Sequence, residues 1–231
     1  MRIGVIFAMR EELDAFLALY ENPKKQAHAN MESYEITQGE HTIFIAKSGI
    51  GKVQAAAITT LFIKTYDLDC LLSSGIAGGY NTHIGSLVLG VQYIQHDVDL
   101  SAFGYPKTQI PEMPKSFKPD EHLITTFRQH MPKGTYQEGV IATGDQFITT
   151  IDHLDDVFKL YPNIKAFEME SGAIAQVAHV FKLPYLALRT ISDVVATDDQ
   201  FDHYQKTIKT TFDKNAQYLK TFFEALMHEA R

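Results

Sequence analysis

Between Leu183 and Asp193 the chain reads Leu-Pro-Tyr-Leu-Ala-Leu-Arg-Thr-Ile-Ser-Asp. Tyr185 to Ile191 is a nearly continuous apolar run of strand length, and such a strand needs cover on both faces. That demand points to an interior strand of an α/β sheet. The run stops on Ser192-Asp193. Ligands of open α/β sheets sit in the crevice outside the carboxyl ends of the strands, so Asp193 is expected where chemistry can be done. Two further segments bring acids to comparable places. Ala166-Phe-Glu168-Met-Glu170-Ser171 delivers two carboxylates just before a helical pattern, and Ile3–Met9 runs straight into Arg10-Glu11-Glu12.

Strand and helix patterns alternate along the rest of the chain. Strands are expected at Ile3–Met9, Asp69–Ser73, Ser86–His96 and Gly139–Thr143. Ser33–Gln38 and Thr42–Ala46 form a hairpin about Gly39-Glu40. Helices are expected at Glu11–Tyr20, Val53–Thr65, Asp120–Met131, Asp152–Tyr161, Ser171–Phe181 and Asp202–Glu229. In the last of these Phe212, Leu219, Phe222, Phe223 and Leu226 keep helical spacing, so one face packs on the core. Phe103–Pro119 holds four prolines and reads as a long loop of the functional or interface kind. With no repeat, low-complexity tract or linker, residues 1–231 read as a single three-layer α/β/α domain around a central mixed, twisted sheet.

Composition narrows the function. A net charge of −7 with no basic stripe argues against nucleic-acid binding. No apolar run approaches a membrane span, and no secretory leader is expected at Met1. The single cysteine, Cys70, fits a reducing, cytoplasmic setting and reads as a buried, inert thiol. The ten histidines are scattered, and His96-Asp-Val-Asp99 is a poor metal motif, so neither metal nor cofactor is expected.

Two glycine-rich segments follow strands. Gly49-Ile-Gly51-Lys52 opens a helix, whose N-terminus favours an anion. It lacks both the Walker spacing and the third glycine of a dinucleotide fingerprint. Gly75-Ile-Ala-Gly-Gly79 reads as a second loop at the same sheet edge. Each is as consistent with a plain turn as with a ligand loop. Glu168, Glu170, Glu11 and Glu12 could each serve only a helix dipole.

In order, the chain carries Ile6-Phe-Ala-Met-Arg-Glu-Glu12, Ser48-Gly-Ile-Gly-Lys-Val53, Ser74-Gly-Ile-Ala-Gly-Gly79, Ser101-Ala-Phe-Gly-Tyr105, Thr143-Gly-Asp-Gln-Phe-Ile148, Phe167-Glu-Met-Glu170 and Arg189-Thr-Ile-Ser-Asp193. Together these motifs resemble the 5′-methylthioadenosine/S-adenosylhomocysteine nucleosidases of the purine nucleoside phosphorylase superfamily. The resemblance implies hydrolysis of the N-glycosidic bond of a 5′-thioadenosine through an oxocarbenium-like transition state. It casts Asp193 as the acid that protonates adenine N7, oriented by Ser192. Glu12 becomes the base that holds the attacking water, with Arg189 helping to fix it. Glu170 would accept from the ribose hydroxyls, and Met169 would pack on the sugar. Phe147 would stack on adenine, with the Phe147 and Ile148 main chain reading the base edge. Ala77 and Gly78 would lie against the nucleoside, and Met9 and Ile50 would line the 5′ pocket. Phe103, Tyr105 and Pro111 would reach the site of a neighbouring subunit, which implies a homodimer.

The chain departs from the family at Ile76, where a serine is usual, and at Arg10, expected to lower the pKa of Glu12. Ser171-Gly172 and the segment after Asp193 also differ. The motifs leave open a phosphate-dependent phosphorylase, for which Arg10 and Arg189 would be the anion ligands. They also leave open a nucleoside-binding protein without turnover. Methylthioadenosine, adenosylhomocysteine and 5′-deoxyadenosine share the adenine and ribose contacts and are not separated by these residues.

Overall fold

The structure, a computed structural model, describes residues 1–28 and 30–229. Among them a mixed sheet of nine strands runs through the chain. The strands are β1 (Arg2–Phe7), β2 (Lys24–His28), β3 (Met31–Gln38), β4 (His41–Lys47), β5 (Cys70–Gly79), β6 (Leu87–Gln95), β7 (Tyr136–Thr143), β8 (Ile164–Glu168) and β9 (Tyr185–Val194). Their order is β2-β3-β4-β1-β5-β8-β7-β6-β9, and β9 also pairs with β5, so the last five strands close into a ring. β1 runs parallel to β5 and β5 parallel to β9, whereas β8 meets the end of β5 antiparallel, Gly78 opposite Phe167. The carboxyl ends of these four strands therefore converge.

The apolar run at Tyr185 behaves as its composition requires: β9 is buried along all but its final residue, and the ring and the helices cover both of its faces. The helices are α1 (Arg10–Leu17), α2 (Lys52–Thr65), α3 (Glu121–His130), α4 (Asp155–Leu160), α5 (Ser171–Phe181) and α6 (Gln200–Glu229). α1 and α3 pack on α6, where Phe16, Phe127, Leu219, Phe222 and Phe223 are fully buried. α2 packs on α5 on the other side, through Ala55, Phe62, Ile174 and Ala178. Cys70 is buried in the first of these cores, and desolvation pushes its thiol up to about 12, so it is inert.

Two expectations are corrected and one strand is added. Gly75–Gly79 is the distal half of β5, paired to both β9 and β8, rather than a loop. Its glycines serve close packing: a Cβ at Gly79 would lie 2.6 Å from the Ile191 side chain. Asp193 belongs to the last two residues of β9 instead of following it, because pairing with β5 continues past a bulge at Ala77/Gly78. Finally, Lys24–His28 is an edge strand that hydropathy alone does not reveal. Its residues are mostly exposed and include two lysines, a common protection for an edge.

Candidate active site

A cavity opens over the converging strand ends. It is lined by Ala8, Met9 and Glu12 from the β1–α1 turn, by Ile50, and by Ile76, Ala77 and Gly78 from β5. Gln146, Phe147 and Ile148 follow β7, Phe167 to Glu170 close β8, and Ser192, Asp193 and Val195 end β9. Gln200 and Tyr204 complete it from α6.

Glu12 lies in the first turn of α1, and its carboxylate reaches back over the helix start, as in a capping box. Oε2 accepts from the main-chain N–H of Ala8 at 3.1 Å and of Met9 at 3.0 Å, and Oε1 accepts from that of Ile76 at 3.0 Å. A Cβ at Gly75 would sit 2.5 Å from Oε1, so the glycine makes the room that the carboxylate occupies. Burial raises the Glu12 pKa, while the three N–H donors and the charge of Arg189 oppose the rise.

Asp193 is buried at the other strand end. Ser192 Oγ donates to Oδ1 at 2.6 Å and Gln200 Nε2 to Oδ2 at 2.7 Å. Gly78 leaves space for it, since a Cβ there would lie 3.2 Å from Oδ2. Desolvation raises the pKa of Asp193 against these two hydrogen bonds, which favours a neutral carboxyl able to donate a proton.

Glu168 and Glu170 divide the two roles open to them. Glu168 serves the helix start: it accepts from the N–H of Ser171 at 2.8 Å and of Glu170 at 3.1 Å, and from the Thr143 hydroxyl. It also forms a buried ion pair with Arg189 at 2.8 Å. Glu170 faces the cavity, with Oε1 accepting from Gly51 N–H at 2.9 Å. Gly51 has a φ of 95°, a conformation that suits glycine and that points the N–H at the carboxylate. Burial first, and then the charge of Glu168, lift the Glu170 pKa.

The structure thus gathers Met9, Glu12, Ile50, Ala77, Gly78, Phe147, Ile148, Met169, Glu170, Ser192 and Asp193 around one cavity. Four further candidates lie outside it: Arg189, and Phe103, Tyr105 and Pro111, which were expected at a neighbouring subunit's site. Arg189 is not part of the cavity lining: it is bonded to Glu168, Ser73 and the Leu188 carbonyl, and it acts on Glu12 through its charge. Phe103, Tyr105 and Pro111 stand outside the cavity, and Phe103 is 78% exposed. Arg10 turns to the surface, where it pairs with Glu32 and Asp14, and so does not act on Glu12 as expected. Ile76 contributes through its main chain, which holds Glu12, whatever its side chain.

Gln200 and Tyr204 escaped the sequence reading. They lie one helical turn apart in α6, on the face turned to the cavity, and Tyr204 meets the edge of Phe147 with ring centroids 6.0 Å apart. The polar Gln200 interrupts no apolar pattern, so periodicity gives no sign of it.

Comparison with known proteins finds relatives along most of the chain. A family model described as the phosphorylase superfamily matches residues 2–228. The 5′-methylthioadenosine/S-adenosylhomocysteine nucleosidase of Tolumonas auensis is 36% identical over 211 residues, covering 88% of this chain and 92% of that protein. The structure of the corresponding nucleosidase from S. pneumoniae, with the transition-state inhibitor MT-ImmA, superposes with a TM-score of 0.91 at 31% identity, covering 98% of this chain and 100% of that one. The native futalosine hydrolase of Helicobacter pylori superposes with a TM-score of 0.88 at 30% identity, over 97% of each chain.

Proposed function

Since the chain belongs to the phosphorylase superfamily and, within it, to the 5′-methylthioadenosine/S-adenosylhomocysteine nucleosidases, we propose that its cavity hydrolyses these nucleosides through Glu12 and Asp193. The protein is an N-glycosyl hydrolase acting on methylthioadenosine and adenosylhomocysteine. In the reaction a water oxygen bonds to C1′ as the bond from C1′ to N9 breaks, and the electron pair leaves with the base. Asp193 gives its proton to N7, which neutralises the departing adenine. Glu12 takes the proton of the water, leaving the thioribose hydroxyl. Glu170 accepts from the ribose diol, Met169 packs on the sugar, and Phe147 covers the base. Ile50 and Met9 flank the 5′ substituent.

The observation that carries hydrolysis over phosphorolysis is the charge of the cavity wall. Glu12, Glu170 and Asp193 turn carboxyls to it beside the Arg189-paired Glu168, and among the described residues no lysine or arginine lines it. The two arginines that could have held phosphate are spent on Glu32 and Glu168. An anion entering beside Glu12 would meet the carboxylates of Glu12 and Glu170, with only the uncharged Gln146, Ser192, Gln200 and Tyr204 as polar neighbours in the lining. Replacement of Asp193 by Asn tests the assignment. Adenine release from methylthioadenosine falls by at least about 10²-fold while far-UV and thermal transitions stay parental, the loss expected of a missing general acid. A variant that keeps parental turnover removes Asp193 from the reaction.

The same reading includes a homodimer. Val53 of α2 is 79% exposed and Val180 of α5 is 57% exposed, and both border a groove with Ala56, Val177 and Phe181. A second copy over this face would bury it and bring the Phe103–Pro111 loop to the partner's cavity. No helix among the described residues is long and apolar enough to cross a membrane. The lone reduced cysteine supports a cytoplasmic setting.

A further inference from the structure

Gln200 is 5% exposed, and its carboxamide is fully engaged. Nε2 donates to Asp193 Oδ2 at 2.7 Å and to the Ile148 carbonyl at 3.0 Å, while Oε1 accepts from Ala196 N–H at 3.2 Å. The orientation of the amide is fixed chemically, because a carbonyl oxygen can only accept and so the nitrogen must face Ile148. One nitrogen with two N–H donors thus joins the carboxyl of the acid to the main chain beside the base subsite.

A 6-aminopurine carries the same group. Its C6 nitrogen has two N–H donors, one leaning toward N7 and the other toward N1. If Asp193 meets N7 and the 147–148 main chain reads the neighbouring edge, as proposed above, the 6-amino nitrogen requires the two acceptors that Gln200 holds. We propose that Gln200 is a latch on the base subsite: its carboxamide stands in for the purine 6-amino group on Asp193 and Ile148, and the arriving base displaces it. Gln200 is then a positioning residue that acts through Asp193, and this inference rests on the reading of Asp193 as the acid.

The surroundings allow the exchange. Residues 196–199, which join β9 to Gln200, are exposed, and Ala196 holds a left-handed φ of 61°, unusual for a residue with a Cβ. A hydrogen bond donated to a carboxylate favours its charged form, so departure of Gln200 favours the neutral acid when N7 arrives. The other titratable groups facing Asp193 are His203, paired with Asp199, and Tyr204, both on α6, with Glu12 across the cavity. β5 offers only Ala77 and Gly78 there. All of these remain in place when Gln200 alone is changed.

The test is steady-state hydrolysis of methylthioadenosine across pH by the parent, Gln200→Met, which keeps the length of the side chain without its donors, and Asp193→Asn. Should the methionine variant fail to fold, Gln200→Ala carries the same test. Without the latch, KM falls roughly fivefold, the scale of one net hydrogen bond. The alkaline limb of kcat/KM, which reports the free enzyme, moves to higher pH, and that of kcat, which reports the complex, stays where it was. A rise in KM, or limbs that move together, shows that Gln200 keeps its bonds in the complex and overturns the latch. Asp193→Asn separates the two levels: parental turnover there sinks the reading of the acid and the latch with it. An inactive Asp193→Asn beside an unmoved Gln200→Met sinks the latch alone.

Discussion

Glu12 and Asp193 are both carboxyls removed from water, and their neighbours set them different tasks. Burial raises the pKa of Glu12, but three main-chain N–H groups and the positive charge of Arg189 oppose the rise and favour the anion that the proposed base requires. Asp193 has two side-chain donors, from Ser192 and Gln200, and burial tips it toward the protonated form that the proposed acid requires. As pH rises through the pKa of Asp193 the acid form is lost, so the activity falls on the alkaline side. As pH falls through that of Glu12 the base form is lost, so the activity falls on the acid side. The position of Glu12 depends on a side chain that is not there. Gly75→Ala would set a methyl 2.5 Å from Oε1 and force the carboxylate aside. A displacement of about 1 Å at a reacting group costs on the order of 10²-fold, so kcat/KM for methylthioadenosine is expected to drop by about that factor. A Gly75→Ala enzyme with parental kinetics would mean that the position of Glu12 does not matter to turnover.

The elements divide into those that hold the site and those proposed to meet a second copy. β1, β5, β8 and β9 bring their carboxyl ends together, and three of them, β1, β8 and β9, announced this through runs that stop at acids. What the pattern could not show was the length of β5. Glycines read as turn signals in one dimension, yet here they allow Glu12, Asp193 and Ile191 to pack against a strand that continues through them. Nor could it tell which carboxylate of the Glu168–Glu170 pair faces the cavity, because one residue of spacing is decided by where β8 ends and α5 begins. Arg189 shows the same gap: its place in the motif is legible, but its ion pair with Glu168 depends on β8 and β9 meeting in space. The outer faces of α2 and α5 carry the exposed valines, and they give a test at this scale. Val180→Asp puts a charge into the groove, and sedimentation is expected to show a monomer where the parent sediments as a dimer, with adenine release reduced. A parent that sediments as a monomer at full activity would contradict the homodimer.

At the scale of the whole molecule, a sheet half closed into a ring provides the floor of the cavity, and the carboxyls of the proposed reaction stand at strand ends and helix starts on its rim. The long α6 ties the two together. Phe212, Leu219 and Phe222 anchor it in the core, and its first turn brings Gln200 and Tyr204 over the cavity. The apolar anchors were legible as helical spacing, whereas the polar residues of that first turn acquire meaning only from the loop that folds them back onto Asp193. The central question is what attacks C1′, and the cavity wall gives the answer its physical basis in carboxylates without an accessible cation. It is settled most directly by following adenine release from methylthioadenosine by the purified protein, with phosphate absent and then present. Hydrolysis predicts the same rate in both, with free thioribose as the second product. Release that requires phosphate, and yields a sugar phosphate, would contradict it and remove Glu12 from its role as base.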